Sequence, residues 1–307
     1  MKKVLILYSD SDIIKDENKR KNYELLYEMG AQKGIKFYRA HIKYNYGKLF
    51  KKAFTYKNEK WIEEKEIYPD IVFDFCDSRN KYIKIKKEEI AKNIRIVNDS
   101  YFDFIFGSKY LTYSILNDYM SKTFIAYNKR DLINKTKLFK SKIVLKPDRG
   151  FGGKNIRILD KKEIKNIVKE VGNYPVIIQD FIDSSSGLGK IAKSTHDLRI
   201  IFINHKPIIS YVREPIKGFL VANVSLGGKR TMVDLNLMPT KLQIKLESIL
   251  KKLKIFNNTF YSIDFIFDKK QNPYVLEINS PPSLHLENKK YLKIYYKEII
   301  KFLKDID

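Results

Sequence analysis

Ser262–Leu284, SIDFIFDKKQNPYVLEINSPPSL, constrains the fold more than any other stretch, because it sets acids inside what otherwise reads as a buried hairpin. Ile263, Phe265 and Phe267 alternate with Asp264, Ile266 and Asp268, and after Lys269–Asn272 the run Tyr274–Ile278 resumes the period of two. With Asp268 facing Pro273 across a four-residue loop, Asp264 falls opposite Glu277, and Asn279 shares the face of Glu277. Like charges directly opposed across strands repel, and half-burying them costs more. Two carboxylates and an amide oxygen converging on one side form a hard-oxygen cluster suited to Mg²⁺. A register slipped by one, or a solvated face, would leave the same side chains without that role.

A second segment points to phosphate. Lys142–Leu159, KIVLKPDRGFGGKNIRIL, is a short apolar strand ending at Lys146-Pro147, then Gly150, Gly152 and Gly153, then a second strand over Asn155–Leu159. Glycines this dense describe a flexible flap whose bare N–H groups can close over phosphate oxygens. Lys146, at the end of a rigid strand, places a point charge against the same oxygens. No Gly-Lys-Ser/Thr opens a helix and no GxGxxG follows a strand, so this is neither a Walker A loop nor a dinucleotide fingerprint. Alone, such a segment is more often just a hairpin.

Further motifs lie around and between these two. Gly107-Ser108-Lys109-Tyr110-Leu111-Thr112 opens a helix, Phe124–Lys129 is a strand and turn, and Val176–Asp183 is an apolar strand ending in acids. Asp197-Leu198-Arg199-Ile200-Ile201-Phe202 is followed by Ser210-Tyr211-Val212-Arg213 and by Asn223-Val224-Ser225-Leu226-Gly227-Gly228. Taken in order, these segments resemble the ATP-grasp superfamily, and within it the glutathione synthetase/RimK-like branch of carboxylate–amine ligases. The resemblance covers about residues 108–286.

The resemblance implies an α/β architecture: a Rossmann-like pre-ATP-grasp domain at 1–106, then an ATP-grasp domain at 107–307. The latter would hold a lid at about 123–185 and a metal-binding subdomain at about 186–307, with ATP between them. It implies Lys109 and Lys146 on the α- and β-phosphates under the flap of Gly150, Gly152 and Gly153. Backbone groups of Gln179, Asp180, Phe181 and Ile182 would read adenine, and Asp183 would accept from the ribose hydroxyls. Asp264, Glu277 and Asn279 would hold two Mg²⁺ (or Mn²⁺) ions. Arg213 is implied as the stabiliser of an acylphosphate and tetrahedral oxyanion; Arg199 is a second candidate or orients Asp197. Asn223, Gly227 and Gly228 would line the phosphate end. The implied reaction phosphorylates a substrate carboxylate and lets an amine attack it, on a small molecule or a peptide. A non-catalytic ATP-binding sensor on the same fold is the alternative. The chain departs from the branch where an arginine often precedes the loop asparagine: Gly218–Ala222 stands there. The flap is also preceded by the charged pair Asp148-Arg149, and Pro281-Pro282 follows Asn279.

At 307 residues the chain can bury a sizeable core around one cleft. Its net charge of +24 comes mostly from lysine spread along every segment, with only ten arginines. A nucleic-acid binder would concentrate its basic groups in a stripe, so the field is expected to attract ATP or acidic peptides rather than mark a nucleic-acid function. No apolar run is long enough for a membrane, and Val4–Tyr8 is too short for a signal-peptide core. The single cysteine, Cys76, excludes an internal disulfide and fits a reducing cytoplasm. It reads as packed rather than catalytic. Strands at Val4–Tyr8, Lys36–Ala40, Ile71–Phe75 and Ile94–Asn98 with a helix near Asn18–Lys33 give a mostly parallel N-terminal sheet. Lys57–Glu66, around Trp61, reads as a charged surface helix. Gly187–Thr195 reads as a mobile loop near the cleft, and Asn288–Leu303 as an amphipathic helix on the core. His196 and His285 lack metal spacing. Ligases of this branch are often dimers or tetramers, so a homo-oligomer is a possible partner state.

Overall fold

The computed structural model describes residues 1–11, 14–76, 80–150, 152–153, 155–216, 218–220 and 227–306. Three sheets divide them. The first combines β1 (Lys2–Tyr8), β2 (Ile35–His41), β3 (Asn45–Tyr46), β4 (Leu49–Lys57), β5 (Lys60–Ile67), β6 (Ile71–Asp74) and β7 (Arg95–Val97), with α1 (Glu17–Gln32) and α2 (Lys81–Ala91) between strands. Its order is β3-β4-β2-β1-β6-β7, with β5 added to β4. The β2-β1-β6-β7 part is parallel, which is why Val4–Leu7 and Ile71–Phe73 are apolar on both faces. Asp16 caps α1 by accepting from the Lys19 amide. Gly30 lets α1 approach β2, since a Cβ there would lie 2.5 Å from the Phe37 ring.

β4 and β5 correct the sequence reading: residues 57–66 form an antiparallel hairpin, not a surface helix. Asn58 and Glu59 take φ of 51° and 60°, the left-handed pair that a two-residue hairpin turn requires. Trp61 faces Tyr56 across the hairpin, meets Tyr27 edge-on, and donates its indole N–H to Glu24 at 3.0 Å.

The second sheet is antiparallel, β10-β9-β11-β8. It is built from β8 (Thr123–Ala126), β9 (Lys142–Pro147), β10 (Arg157–Asp160) and β11 (Val176–Asp180). Before it come α3 (Ser100–Phe106) and α4 (Lys109–Leu116), and within it α5 (Lys129–Thr136) and α6 (Ile164–Ile167). Leu132, Phe139, Ile143, Leu145, Ile164 and Ile178 make its small core.

The third sheet, β14-β13-β12-β15-β16, carries the charged motifs. Its strands are β12 (Asp197–Ile203), β13 (Lys206–Glu214), β14 (Lys229–Val233), β15 (Phe260–Phe267) and β16 (Pro273–Asn279), with α7 (Thr240–Leu253) preceding β15 and α8 (Lys289–Asp305) closing the chain. Leu198, Ile200, Phe202, Ile263, Phe265 and Phe267 face Leu242, Ile249 and Leu253 of α7 and Phe102 and Phe106 of α3. On the opposite face, Ile201, Ile209 and Tyr211 pack with Tyr295, Ile299 and Leu303 of α8, in a core shared with β1, β6 and α1. The Tyr295 and Tyr296 hydroxyls donate to the Ser283 and Leu284 carbonyls at 3.0 and 2.9 Å, which pins the loop after β16. Within residues 187–195 the Leu188 amide donates to the Ala192 carbonyl at 2.7 Å and both side chains are buried, while Thr195 lies at the cavity. No helix among the described residues is long and apolar enough to cross a membrane.

Candidate active site

Strand register gathers the charges. Asp264 on β15 pairs with Arg199 of β12 on one side and Glu277 of β16 on the other, while Asp197 pairs with Arg213 across β12–β13. The Asp264–Glu277 pairing is reached differently from the sequence reading. Phe267, not Asp268, faces Pro273, and a bulge between Asp264 and Phe265 absorbs one extra residue, Leu276, before Glu277. Asp268 instead caps the turn, accepting from the Lys270 and Asn272 amides. Leu276, which strict alternation would place in the core, lines the cavity beside Ile266.

Asp264 is buried and accepts from Arg199 through both oxygens at 2.5 Å, and from Arg213 at 2.7 Å. Arg213 also forks onto Asp197 at 2.6 and 2.8 Å. The expected Arg199–Asp197 pairing is therefore corrected: each arginine forks onto the carboxylate directly across the strands from it. Burial pushes the Asp264 carboxyl up, yet the two arginines outweigh it and hold it at about 2. Burial dominates at Asp197 and lifts it to about 6 despite Arg213. Both guanidiniums resist desolvation because Asp264 holds their charge.

Asn279 places its amide nitrogen 3.1 Å from Glu277 Oε1 and 3.4 Å from Asp264 Oδ2, and Arg199 lies 4.0 Å from Glu277. Hydrogen-bond donors thus occupy the space between the two carboxylates. Turning the Asn279 amide over would present its oxygen beside Glu277 instead. Among the described residues there is no group of three His, Cys, Asp or Glu that would form a protein-only cage. Glu277, Asn279 and the outer lone pairs of Asp264 do suit Mg²⁺, which typically takes one or two carboxylates and completes its shell with phosphate oxygens and water.

Lys109 opens α4 under a Ser108 cap, donates to the Gly150 carbonyl at 2.9 Å, and stands 3.8 Å from Glu277. Asp148 ties the flap to the same helix end by accepting from the Ser108 hydroxyl and the Tyr110 amide at 2.8 and 2.9 Å. Gly152 and Gly153 adopt φ of 78° and 69°, which side chains rarely allow. Beside Lys109, buried Lys146 donates to Gln179 Oε1 at 2.7 Å, and Gln179 donates to Thr123. Burial, then the neighbouring Lys109 charge, lower the Lys146 ammonium to about 8.

The hinge narrows the adenine expectation. The Asp180 N–H donates to the Lys122 carbonyl and its C=O accepts from Ser121, while the Phe181 N–H donates to Lys142. The Phe181 carbonyl and the amide and carbonyl of Ile182 are hinge groups without such a bond among the described residues. Asp183 accepts from the Ser185 amide and pairs with Lys269 at 3.0 Å; these contacts, led by Ser185, hold it at about 2.

A cavity of about 390 Å³ brings these groups together: Lys109, Lys146, Gly150, Gly152, Gly153 and Gln179–Asp183 on one side, and Arg199, Arg213, Asp264, Glu277 and Asn279 on the other. Val144, Ile156, Ile158, Ile266 and Leu276 supply apolar walls. Gly227 and Gly228 do not line it, and Asn223 lies outside the described residues. Sequence reasoning missed His196, which also lines the cavity. It is buried, stacks on Phe267, and shares an Nδ1 hydrogen bond with the Ser194 carbonyl. Its position directly before the Asp-x-Arg strand was the available signal.

Comparison with known proteins agrees with this geometry. Residues 119–303 match the RimK-like ATP-grasp domain, and the chain belongs to that family. Its fold is similar to those of the D-cycloserine synthetase DcsG (TM-score 0.67, 14% identity, 98% of this chain and 99% of that one) and the D-Ala:D-Ser ligase VanG from Enterococcus faecalis (TM-score 0.68, 12% identity, 99% and 98%). It is likewise similar to the ATP-grasp ligase PsnB, solved with a minimal precursor, Mg and ADP (TM-score 0.60, 11% identity, 98% and 98%). No curated protein matches the chain in sequence.

Proposed function

We propose that the protein is an ATP-dependent carboxylate–amine ligase, glutathione-synthetase-like or RimK-like, acting through an acylphosphate. The observation that carries this reading is one cavity wall where Asp264, Glu277 and Asn279 stand beside two forked arginines, facing Lys109, Lys146 and the glycine flap. Apolar Ile158, Ile266 and Leu276 would sandwich adenine, with its edge on the Phe181 carbonyl and Ile182 amide. Lys109 and Lys146 would exchange their carbonyl and amide partners for phosphate oxygens. Glu277, Asn279 and Asp264 would hold Mg²⁺, which neutralises the phosphates when bound.

The substrate carboxylate would attack the γ-phosphorus, forming an acylphosphate and releasing ADP; an amine would then attack the acyl carbon and phosphate would leave with its oxygen. Both steps develop negative charge, and preplaced donors stabilise it without reorganisation. Arg213 is the candidate donor at the reacting carbonyl, held by Asp197 and Asp264. VanG is a D-Ala:D-Ser ligase and PsnB is solved with a minimal precursor, so a small molecule or a peptide is the proposed substrate class.

ADP release with Mg·ATP against pooled amino acids and acidic peptides, with mass spectrometry of products, tests the reading. Substrate-dependent ADP and a product one water lighter than its parts support it. Glu277→Gln should lower that turnover on the order of 10³-fold, as loss of a metal ligand worth several kcal/mol implies. Absence of ATP binding would sink it.

A further inference from the structure

A buried line of polar contacts joins the N-terminal sheet to the residue that follows the candidate metal ligands. Asp74 ends β6, Lys87 lies on the inner side of α2, Asp103 is on α3, Asn98 follows β7, and Ser280 follows Asn279. The Lys87 ammonium pairs with Asp74 and, at 2.9 Å, with Asp103 Oδ2. Asp103 Oδ1 accepts from the Ser280 hydroxyl at 2.5 Å, and that hydroxyl accepts from the Asn98 amide at 2.5 Å. Asn98 also clasps Phe260, donating to its carbonyl at 2.7 Å and accepting from its amide at 2.5 Å. Asp74 is 1% exposed, Lys87 4%, Asn98 1% and Asp103 8%.

None of these residues lines the cavity, and the ligase chemistry has no use for their charges. Burying an ammonium and two carboxylates costs several kcal/mol per ion, and an apolar cluster of the same volume is often no less stable. What the contacts do supply is direction. The Ser280 hydroxyl has both its proton and an accepting lone pair committed, which fixes the residue joined to Asn279. The next three residues, Pro281, Pro282 and Ser283, line the cavity. On the paired strand, at the same open end of the hairpin, Asn98 fixes Phe260, four residues before Asp264.

We propose that Lys87 and Asp103 are positioning residues for Asn279, acting through Ser280, so that the N-terminal sheet sets the geometry of the metal site. This rests on the reading of Glu277 and Asn279 as metal ligands. Partners of ligating side chains commonly govern metal affinity by about 10- to 100-fold.

Mn²⁺ titrated calorimetrically into the full-length protein saturated with a non-hydrolysable ATP analogue, and the analogue titrated alone in EDTA, separate the outcomes. Ser280→Ala should weaken Mn²⁺ binding about 10-fold or more while metal-free nucleotide affinity stays within about twofold. Ser280→Thr, which keeps the hydroxyl, should retain wild-type affinity, and Lys87→Met should follow Ser280→Ala. Unchanged Mn²⁺ affinity in Ser280→Ala, or an equal loss of metal-free nucleotide binding, overturns the inference. Should Lys87→Met not fold, the two Ser280 variants decide the matter. Wild-type Mn²⁺ affinity in Glu277→Gln would instead overturn the metal-site reading itself, and this inference with it.

Discussion

On the C-terminal wall of the cavity, Arg199 and Arg213 meet Asp197 and Asp264 through hydrogen bonds of 2.5–2.8 Å; on the lid wall, Lys146 is as deeply buried and, among the described residues, donates to the neutral Gln179 alone. Two arginines against two aspartates balance and hold one another before any ligand arrives, while Glu277 beside them has no such fork. The second wall keeps an ammonium that burial and Lys109 depress to about 8. The difference locates the work a nucleotide would do: its phosphates would complete the lid, whereas the arginine–aspartate forks of the C-terminal wall are already formed, leaving Glu277 and Asn279 to a cation. Preorganisation belongs to one wall and ligand-driven ordering to the other.

Equivalent truncations on the two walls should therefore diverge. Arg213→Leu strands the buried Asp197 carboxylate and removes one of the two arginines on Asp264, and should destabilise the unliganded protein by about 3–5 kcal/mol, read by denaturant unfolding. Lys146→Met removes a disfavoured charge but leaves Gln179 unpaired, so unfolding should stay within about 1 kcal/mol of wild type. Its nucleotide affinity should nonetheless fall by about 2 kcal/mol, or roughly 30-fold, because a buried charge pair is lost. A large stability loss in Lys146→Met would erase the distinction between the walls.

The pH dependence sharpens it. A lysine whose folded value lies near 8, below its ordinary 10.5, binds fewer protons when folded than when unfolded across that interval. This group therefore penalises the unliganded fold fully below pH 8, and the penalty fades as pH rises toward 10.5. Phosphates would restore the ammonium, so nucleotide binding should take up protons at pH 8–10 and take up none through Lys146 near pH 6. Calorimetry in buffers of different ionisation enthalpy measures this directly. The smallest effect is expected at the rim, where Lys269 and Asp183 form an exposed pair. Lys269→Ala should change stability by less than about 1 kcal/mol.

The sequence disclosed the parts of this arrangement that repeat locally. Alternation in β15 and the glycines after β9 pointed to Asp264, Glu277, Asn279 and the flap, because each depends on a handful of neighbours, whereas Lys109, Gln179–Asp183, Arg199 and Arg213 came from the order of motifs. The β4–β5 hairpin escaped because β5 is solvated on both faces, so Lys60–Ile67 carries no apolar period; the Asn58-Glu59 turn was its only mark. Arginine pairing escaped for another reason. Whether Arg199 meets Asp197 or Asp264 depends on the register of β12 against β13 and β15, which no single segment records. The line from Lys87 to Ser280 spans nearly two hundred positions and has no local signature at all.

Leu276 carries a consequence for how such a hairpin can change. A bulge residue is an insertion that adds a side chain without displacing those on either side of it. Removing that one codon would restore plain alternation from Val275 to Asn279, leaving Glu277 and Asn279 on their face while stripping an apolar contact from the cavity. The grip on a flat ring and the grip on a cation are thus heritable separately, and a lineage could trade away the first while keeping the second.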